Sequence, residues 1–255
     1  MVTRPAHQAA QLIDLLERAG ATIYCQPLIE IIAINEPTTA IGQAKALPQT
    51  DIAIFISQNA VTHGMHLIQQ HGGLPASVKL ATVGLGSATL LEQLAQRAVD
   101  IIPLHEYNSE GLLAHPELLN VANKTITIFR GIGGRNILAD TLRKRGAKVE
   151  YAEVYQRHCP KIDLKRLEAL WQTQPIDTIC ITSGEGIENL ITNISQNNAP
   201  KQLRTDILNT RLVIVNQRLE PLVEKYGFTK APIITDNVSD TAIVDAILKS
   251  INLHT

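Results

Sequence analysis

Cysteine is scarce in this chain: Cys25, Cys159 and Cys180 are odd in number, far apart and form no C-x-x-C pair. That excludes a disulfide framework and a zinc knuckle, and reduced cytoplasmic thiols are the simpler reading. Surplus charge is missing too. Lys and Arg number 23 against 24 Asp and Glu, a net charge of -1, so no broad positive field exists to gather a nucleic-acid backbone or an anionic membrane. Any anionic ligand has to be caught locally. No run of about 18 apolar residues occurs that would span a bilayer, and the start of the chain carries Arg4, Asp14, Glu17 and Arg18 rather than the apolar stretch of an export signal. Neither nucleic acid nor membrane is expected as a partner. What is present is globular: 255 residues with 45% hydrophobic and 18% charged side chains, well away from disordered composition and long enough for one large domain or two ordinary ones.

An internal repeat organises the chain. Arg4 answers to Arg130, Gly20-Ala21 to Gly146-Ala147, Asp51 to Asp177 and Ser57 to Ser183, each pair 126 residues apart. Farther on the offset drifts: Ser109-Glu110 answers to Ser239-Asp240 at 130 residues and Ile101-Ile102 to Ile233-Ile234 at 132. Two related halves, one carrying a loop insertion, fit this pattern.

Short β-branched runs, 52–57, 80–84, 126–130, 178–183 and 212–216, read as buried parallel strands. Between them lie helical stretches, 7–19 before the stop Gly20 and 136–145 before Gly146, with Ser109 and Ser239 as N-caps of further helices. Alternating strand and helix predicts an α/β protein with parallel sheets covered on both faces. Two segments, 21–31 and 147–157, read as extended for eleven residues, about twice a usual strand. Their equivalent places in the repeat suggest that each runs out of one domain toward the other. The expectation is two similar parallel-sheet α/β domains joined by a two-stranded β-ladder hinge near 28–37 and 152–160, with 1–34 and 156–255 in domain 1 and 35–155 in domain 2. Contiguous halves split near residue 125 are the rival topology.

In open α/β sheets ligands bind beyond the carboxyl ends of the strands. Those ends carry Thr3-Arg4, Ser57-Gln58-Asn59, Gly84 to Ser87, Arg130 to Arg135, Thr182-Ser183-Gly184 and Asn216-Gln217-Arg218. Hydroxyls, amides, glycines and arginines with few acids make an anion-binding set. Arg130-Gly131-Ile132-Gly133-Gly134-Arg135 is the sharpest motif, yet it has neither the Lys-Ser/Thr of a P-loop nor dinucleotide spacing, and Gly84-x-Gly86 is only a fragment of one. His63, His66 and His71 lack a third ligand type at zinc spacing, and neither Ser57 nor Ser183 sits in G-x-S-x-G. No metal and no organic cofactor is expected. The arrangement suits an enzyme without a covalent nucleophile, a bilobed small-anion binding protein or ligand sensor, or an unrelated nucleotide-dependent enzyme.

Taken in order, Thr3-Arg4-Pro5, Ser57-Gln58-Asn59-Ala60-Val61, Ser109-Glu110-Gly111, Arg130 to Arg135, Val154-Tyr155-Gln156-Arg157 and Thr182-Ser183-Gly184-Glu185-Gly186 resemble the pattern of the uroporphyrinogen-III synthases, over nearly the whole chain. The resemblance implies two α/β domains, the first built from both chain ends, and a monomeric cytoplasmic lyase of heme biosynthesis. Its small-molecule substrate would be the linear tetrapyrrole hydroxymethylbilane, rich in carboxylates, which loses water, inverts ring D and closes to uroporphyrinogen III. Carried over by motif, Tyr155 is the candidate proton donor, and the candidate binders of substrate carboxylates are Arg4, Ser57, Asn59, Gly84, Arg130, Gly133, Gly134, Thr182, Ser183 and Gly184. Two stretches depart from the pattern. Thr3 follows only two residues, which shortens the first strand, and Asn216-Gln217-Arg218 stands where the family often has a serine nearby.

Overall fold

In a computed structural model, which describes residues 1–196 and 199–252, the chain divides into two units. One is formed by Met1–Glu30 and His158–Thr255, the other by Ile31–Arg157. The chain passes from one to the other at Glu30/Ile31 and returns at Arg157/His158.

Helix α1 (Ala6–Arg18) belongs to the first unit. The second unit runs β1 (Glu30–Ala33), α2 (Thr38–Lys45), β2 (Ile52–Phe55), α3 (Gln58–Gln70), β3 (Lys79–Thr82), α4 (Leu85–Ala95), α5 (Ser109–Leu113), α6 (Pro116–Leu119), β4 (Thr125–Gly131), α7 (Ile137–Lys144) and β5 (Lys148–His158). Back in the first unit follow α8 (Leu164–Thr173), β6 (Thr178–Ile181), α9 (Gly184–Gln196), α10 (Lys201–Leu208), β7 (Arg211–Ile214), α11 (Glu220–Lys225), β8 (Ile233–Ile234) and α12 (Asp240–Asn252).

The second unit is built on a sheet of order β1-β5-β4-β2-β3, parallel from β5 to β3. Its inner strands β2 and β4 are buried on both faces, as continuous apolar runs require. On one face Phe55 and Phe129 stack with ring centroids 4.6 Å apart, beneath α3, where Gly64 lets the helix approach: a Cβ there would stand 2.9 Å from the Phe129 ring. On the other, Ile54, Ile126 and Ile128 pack with Leu112, Leu138 and Leu142.

In the first unit β6-β7-β8 form a parallel sheet, which Val2 extends by single bridges to Cys180 and Cys25. The repeat in the sequence is a repeat in register. Ile54, Ile128 and Tyr151 pair in turn across the second unit, and the residues 126 positions away, Cys180, Val2 and Cys25, pair in turn across the first. Likewise Ala81 pairs with Ile101, and 132 positions on Val213 pairs with Ile233. Helices α1 and α7 end alike, at Gly20 with φ +87° and Gly146 with φ +86°, the left-handed stop that glycine adopts without strain.

The sequence expectation fails in two places. Residues 147–157 do form one long strand, β5, but 21–31 do not: the chain pairs with Val2 around Cys25 and forms only the four-residue β1 beyond. The partner run is too short, because Pro5 opens α1 immediately after Arg4, and Pro27 brings no N–H to a ladder. Helix α5 is capped by Asn108, whose Oδ1 accepts from Gly111 N at 2.7 Å, rather than by Ser109. Ser239 does cap α12, accepting from Ala242 N at 3.2 Å.

Candidate functional site

Parallel strands bring their carboxyl ends to one edge of each sheet. On the second unit that edge carries Ser57 beyond β2, Gly84 beyond β3, Arg130 to Gly134 at the end of β4, and Tyr155 late in β5. Ser57 keeps an extended backbone and turns the chain into α3, its Oγ accepting from Ala60 N at 3.1 Å. The same oxygen lies 3.2 Å from the Tyr155 hydroxyl.

An irregularity in the ladder brings Tyr155 there. Arg130 pairs with Glu153, but Gly131 pairs with Tyr155, so Val154 is an extra residue on β5. In a regular strand consecutive side chains take opposite faces. The bulge lets Val154 and Tyr155 both turn inward, with Tyr155 only 5% exposed. The His63 ring, on α3, stacks against it with centroids 5.8 Å apart.

A serine hydroxyl has one proton and two lone pairs. One lone pair of Ser57 is used by the Ala60 N–H, so its remaining exchange with the phenol can run in either direction. Whichever hydroxyl donates to the other, the pair keeps one O–H free for a ligand.

The rest of this edge is mainly backbone and amide. Gly84 caps α4 without a side chain, and Gln58 Nε2 donates to Gly86 O at 3.2 Å, tying the starts of α3 and α4 together. Asn59 sits in the first turn of α3. Gly133 and Gly134 take φ of +78° and +91° in the loop after β4.

Arg130, expected among the binders of substrate carboxylates, has partners within the protein. It is 4% exposed, with Nε donating to Gly131 O and Nη1 to Asn136 Oδ1, each at 3.2 Å, and its guanidinium lies 4.6 Å above the Tyr151 ring. Burial of a guanidinium demands such partners. Arg135 of the same motif is exposed and pairs with Glu110 at 3.1 Å.

The edge of the first unit repeats the plan. Ser183 Oγ accepts from Gly186 N at 3.1 Å and starts α9 as Ser57 starts α3. Thr182 stands half-buried before it, and Gly184, first in the helix, faces Leu222, 3.3 Å from where its Cβ would be. Arg4, the counterpart of Arg130, is likewise committed: Nη1 forms an ion pair with Asp240, and Nη2 donates to Val238 O at 3.3 Å. Both arginines brace the strand ends, and the donors facing outward are hydroxyls and backbone N–H groups at helix starts.

Sequence reasoning named Ser57 and Tyr155 separately and missed their contact, together with His63 and Gly131 beside it; a bulge leaves no periodic signal. Asp240, the partner of Arg4, is matched by the repeat to Glu110, but Glu110 binds Arg135 and not Arg130, the counterpart of Arg4. His66 pairs with Gln70 at 3.1 Å, and among the described residues no group of three or more His, Cys, Asp or Glu is placed to hold a metal ion. Burial pushes the thiols of Cys159 and Cys180 above their usual range, the opposite of an activated nucleophile.

The sequence model of a family described as "Uroporphyrinogen-III synthase HemD" matches residues 10–236. The uroporphyrinogen-III synthase of Salmonella typhimurium is 32% identical over 254 residues, 98% of each chain. That of Escherichia coli is 31% identical over 253 residues, again 98% of each. Among solved structures, a mutant uroporphyrinogen III synthase from Thermus thermophilus is similar with a TM-score of 0.65 at 18% identity, over 99% of this chain and 98% of that one. The uroporphyrinogen-III synthetase of Helicobacter pylori gives 0.58 at 14% identity, over 90% and 94%. At these identities the structures speak for a shared fold.

Proposed function

The chain belongs to the uroporphyrinogen-III synthase family, cyclising lyases of heme and tetrapyrrole biosynthesis, and from that premise we propose how its residues carry the reaction. The substrate is hydroxymethylbilane. The C–O bond of its ring-A hydroxymethyl group breaks, the leaving hydroxide takes a proton from the Tyr155 phenol, and the pyrrole nitrogen supplies the electron pair that makes the azafulvene. Attack from the substituted carbon of ring D forms a spiro intermediate. This fragments and recloses with ring D inverted, and the proton released as the pyrrole recovers its aromaticity returns to the phenolate. Water leaves, no electron changes owner, and the reaction needs neither metal nor organic cofactor.

When Ser57 donates to the phenol oxygen, the phenol proton is left for the departing hydroxyl. A phenol O–H is itself a donor, so the step asks for no assisting base. Substrate carboxylates are received by Asn59 and the N–H groups at the start of α3, Gly84 at the start of α4, the Gly133-Gly134 loop, and Thr182, Ser183 and Gly184 at the start of α9. Arg4 and Arg130 hold these ends in place. Catalysis then rests on positioning and electrostatics, with no covalent intermediate.

The observation that carries this reading is the hydrogen-bonded Ser57–Tyr155 pair at the edge where α/β sheets bind ligands. Its free thiols suit a reducing cytoplasm, and we infer a monomer acting on a small molecule. Incubation with hydroxymethylbilane and isomer analysis of the product tests it: uroporphyrinogen III is expected. If only the spontaneously formed isomer I appears, the chain is a binding protein or sensor.

A further inference from the structure

Tyr155 meets the backbone at Gly131 more closely than any other residue type there would allow. A Cβ on Gly131 would stand 2.6 Å from Cε2 and 2.7 Å from Cζ of the Tyr155 ring, and 3.1 Å from Cδ2. Cζ is the atom that bears the hydroxyl. Gly131 is not among the glycines with positive φ, so its lack of a side chain serves the approach of the ring and not a turn. The backbone on either side is pinned. Gly131 O accepts from Arg130 Nε at 3.2 Å, and Ile132 N donates to Tyr155 O at 2.9 Å. The bulge at Val154 sets Tyr155 opposite Gly131 instead of the neighbouring residue.

We propose that Gly131 is a positioning residue for the reaction: the bare backbone face it leaves open, together with the bulge opposite, seats the Tyr155 ring so that its hydroxyl meets Ser57. This rests on the reading of Tyr155 as proton donor. With the ladder fixed on both sides, a methyl at 131 moves the ring and not the strand. Ordinary contact begins at 3.4 Å, so the ring edge retreats by nearly 1 Å, and displacements of about 1 Å from reacting geometry cost on the order of 10²-fold in rate. Binding of carboxylates at the helix starts does not involve this ring.

Gly131→Ala, Tyr155→Phe and the double variant test this, by kcat, KM and the ratio of isomers III and I. Gly131→Ala is expected to lower kcat by about 10- to 100-fold, with KM held and more isomer I. The double variant is expected to match Tyr155→Phe alone, because a ring without its hydroxyl has no proton to misdirect. Parental kcat in Gly131→Ala beside an impaired Tyr155→Phe overturns the positioning role and leaves the donor reading standing. A parental rate in Tyr155→Phe overturns the donor reading itself. Equal losses from Gly131→Ala in the parental and Tyr155→Phe backgrounds also overturn the positioning role. Should Gly131→Ala fail to fold, melting temperatures in the Tyr155→Leu background decide, since leucine has no atoms at Cε2 and Cζ. There the alanine is expected to cost little, and a cost as large as with tyrosine overturns the contact.

Discussion

The hydroxyls of Ser57 and Tyr155, 98 residues apart in the chain, lie within 3.2 Å of each other. Ser57 is not a free surface serine, since its Oγ also caps α3. The helix therefore fixes the serine, and the serine fixes the phenol. A donor held by a rigid element keeps its aim better than one held by a loop.

Tyr155→Phe removes the proton and keeps the ring. Positioned acid catalysis supplies about 10²- to 10⁴-fold, so kcat is expected to fall at least about tenfold while KM and melting temperature stay near the parental values. Isomer I should rise as spontaneous closure competes. Steady-state rates with isomer separation check this, and a parental rate with the parental isomer ratio sinks the donor role.

Ser57→Ala and Ser183→Ala form a matched pair, because each serine caps the helix after its strand with a backbone N–H at 3.1 Å. Losing such a cap costs about 1 kcal/mol, so the two variants should melt at similar, slightly lower temperatures. Of the two, Ser57 touches the phenol. Ser57→Ala is expected to lower kcat, and Ser183→Ala to raise KM with kcat nearly kept; identical kinetic effects in both would argue against distinct roles.

The repeat made much of the fold legible. Pairs such as Ser57 and Ser183 mark equivalent helix starts, and Ile101 and Ile233 close equivalent sheet edges. Local pattern failed where tertiary partners decide. Residues 21–31 are extended in composition but pair only with Val2 and Thr3 before β1 joins β5, because Pro5 ends the neighbouring run. At the site, residue type alone suggested that Arg4 and Arg130 seek a ligand, whereas Asp240, Asn136 and the Tyr151 ring already engage them. The bulge at Val154 that turns Tyr155 inward has no signature in a run of strand-forming residues.

Asn193 offers a test of stability. At 2% exposure, its Oδ1 accepts from Ile162 N at 3.0 Å and its Nδ2 donates to Pro160 O at 3.1 Å and Asn189 O at 3.0 Å. One turn earlier Asn189 Nδ2 donates to Leu28 O at 2.8 Å. Helix α9 thus grips the chain next to both passages between the units. Asn193→Ala strands the Ile162 N–H and the Pro160 carbonyl, and leaving a buried group unpaired costs about 1–3 kcal/mol. The melting temperature should fall by several degrees. Asn193→Asp keeps the acceptor for Ile162 but sets a second acceptor against the Pro160 and Asn189 carbonyls in a buried site, so it should lose at least as much as Asn193→Ala at neutral pH; a smaller loss would show that the hydrogen bond to Ile162 outweighs those that Nδ2 donates.

Asp51 predicts a dependence on pH. A hydrogen bond from Lys124 Nζ at 2.7 Å, and then one from Thr125 N at 2.8 Å, hold its carboxyl below the usual range. A carboxyl with a depressed pKa in the folded state contributes stability above its unfolded value, about 3.9, and loses that contribution as the pH falls through the folded value. The pair is largely exposed, so the whole effect amounts to at most about 1 kcal/mol. Asp51→Asn removes the charge at every pH. The parental protein should melt higher than Asp51→Asn at neutral pH, with the gap closing below about pH 4. Added salt should narrow the gap at neutral pH by screening Lys124. A gap that stays constant from about pH 7 to about pH 3 would mean that Asp51 acts through its shape and not its charge.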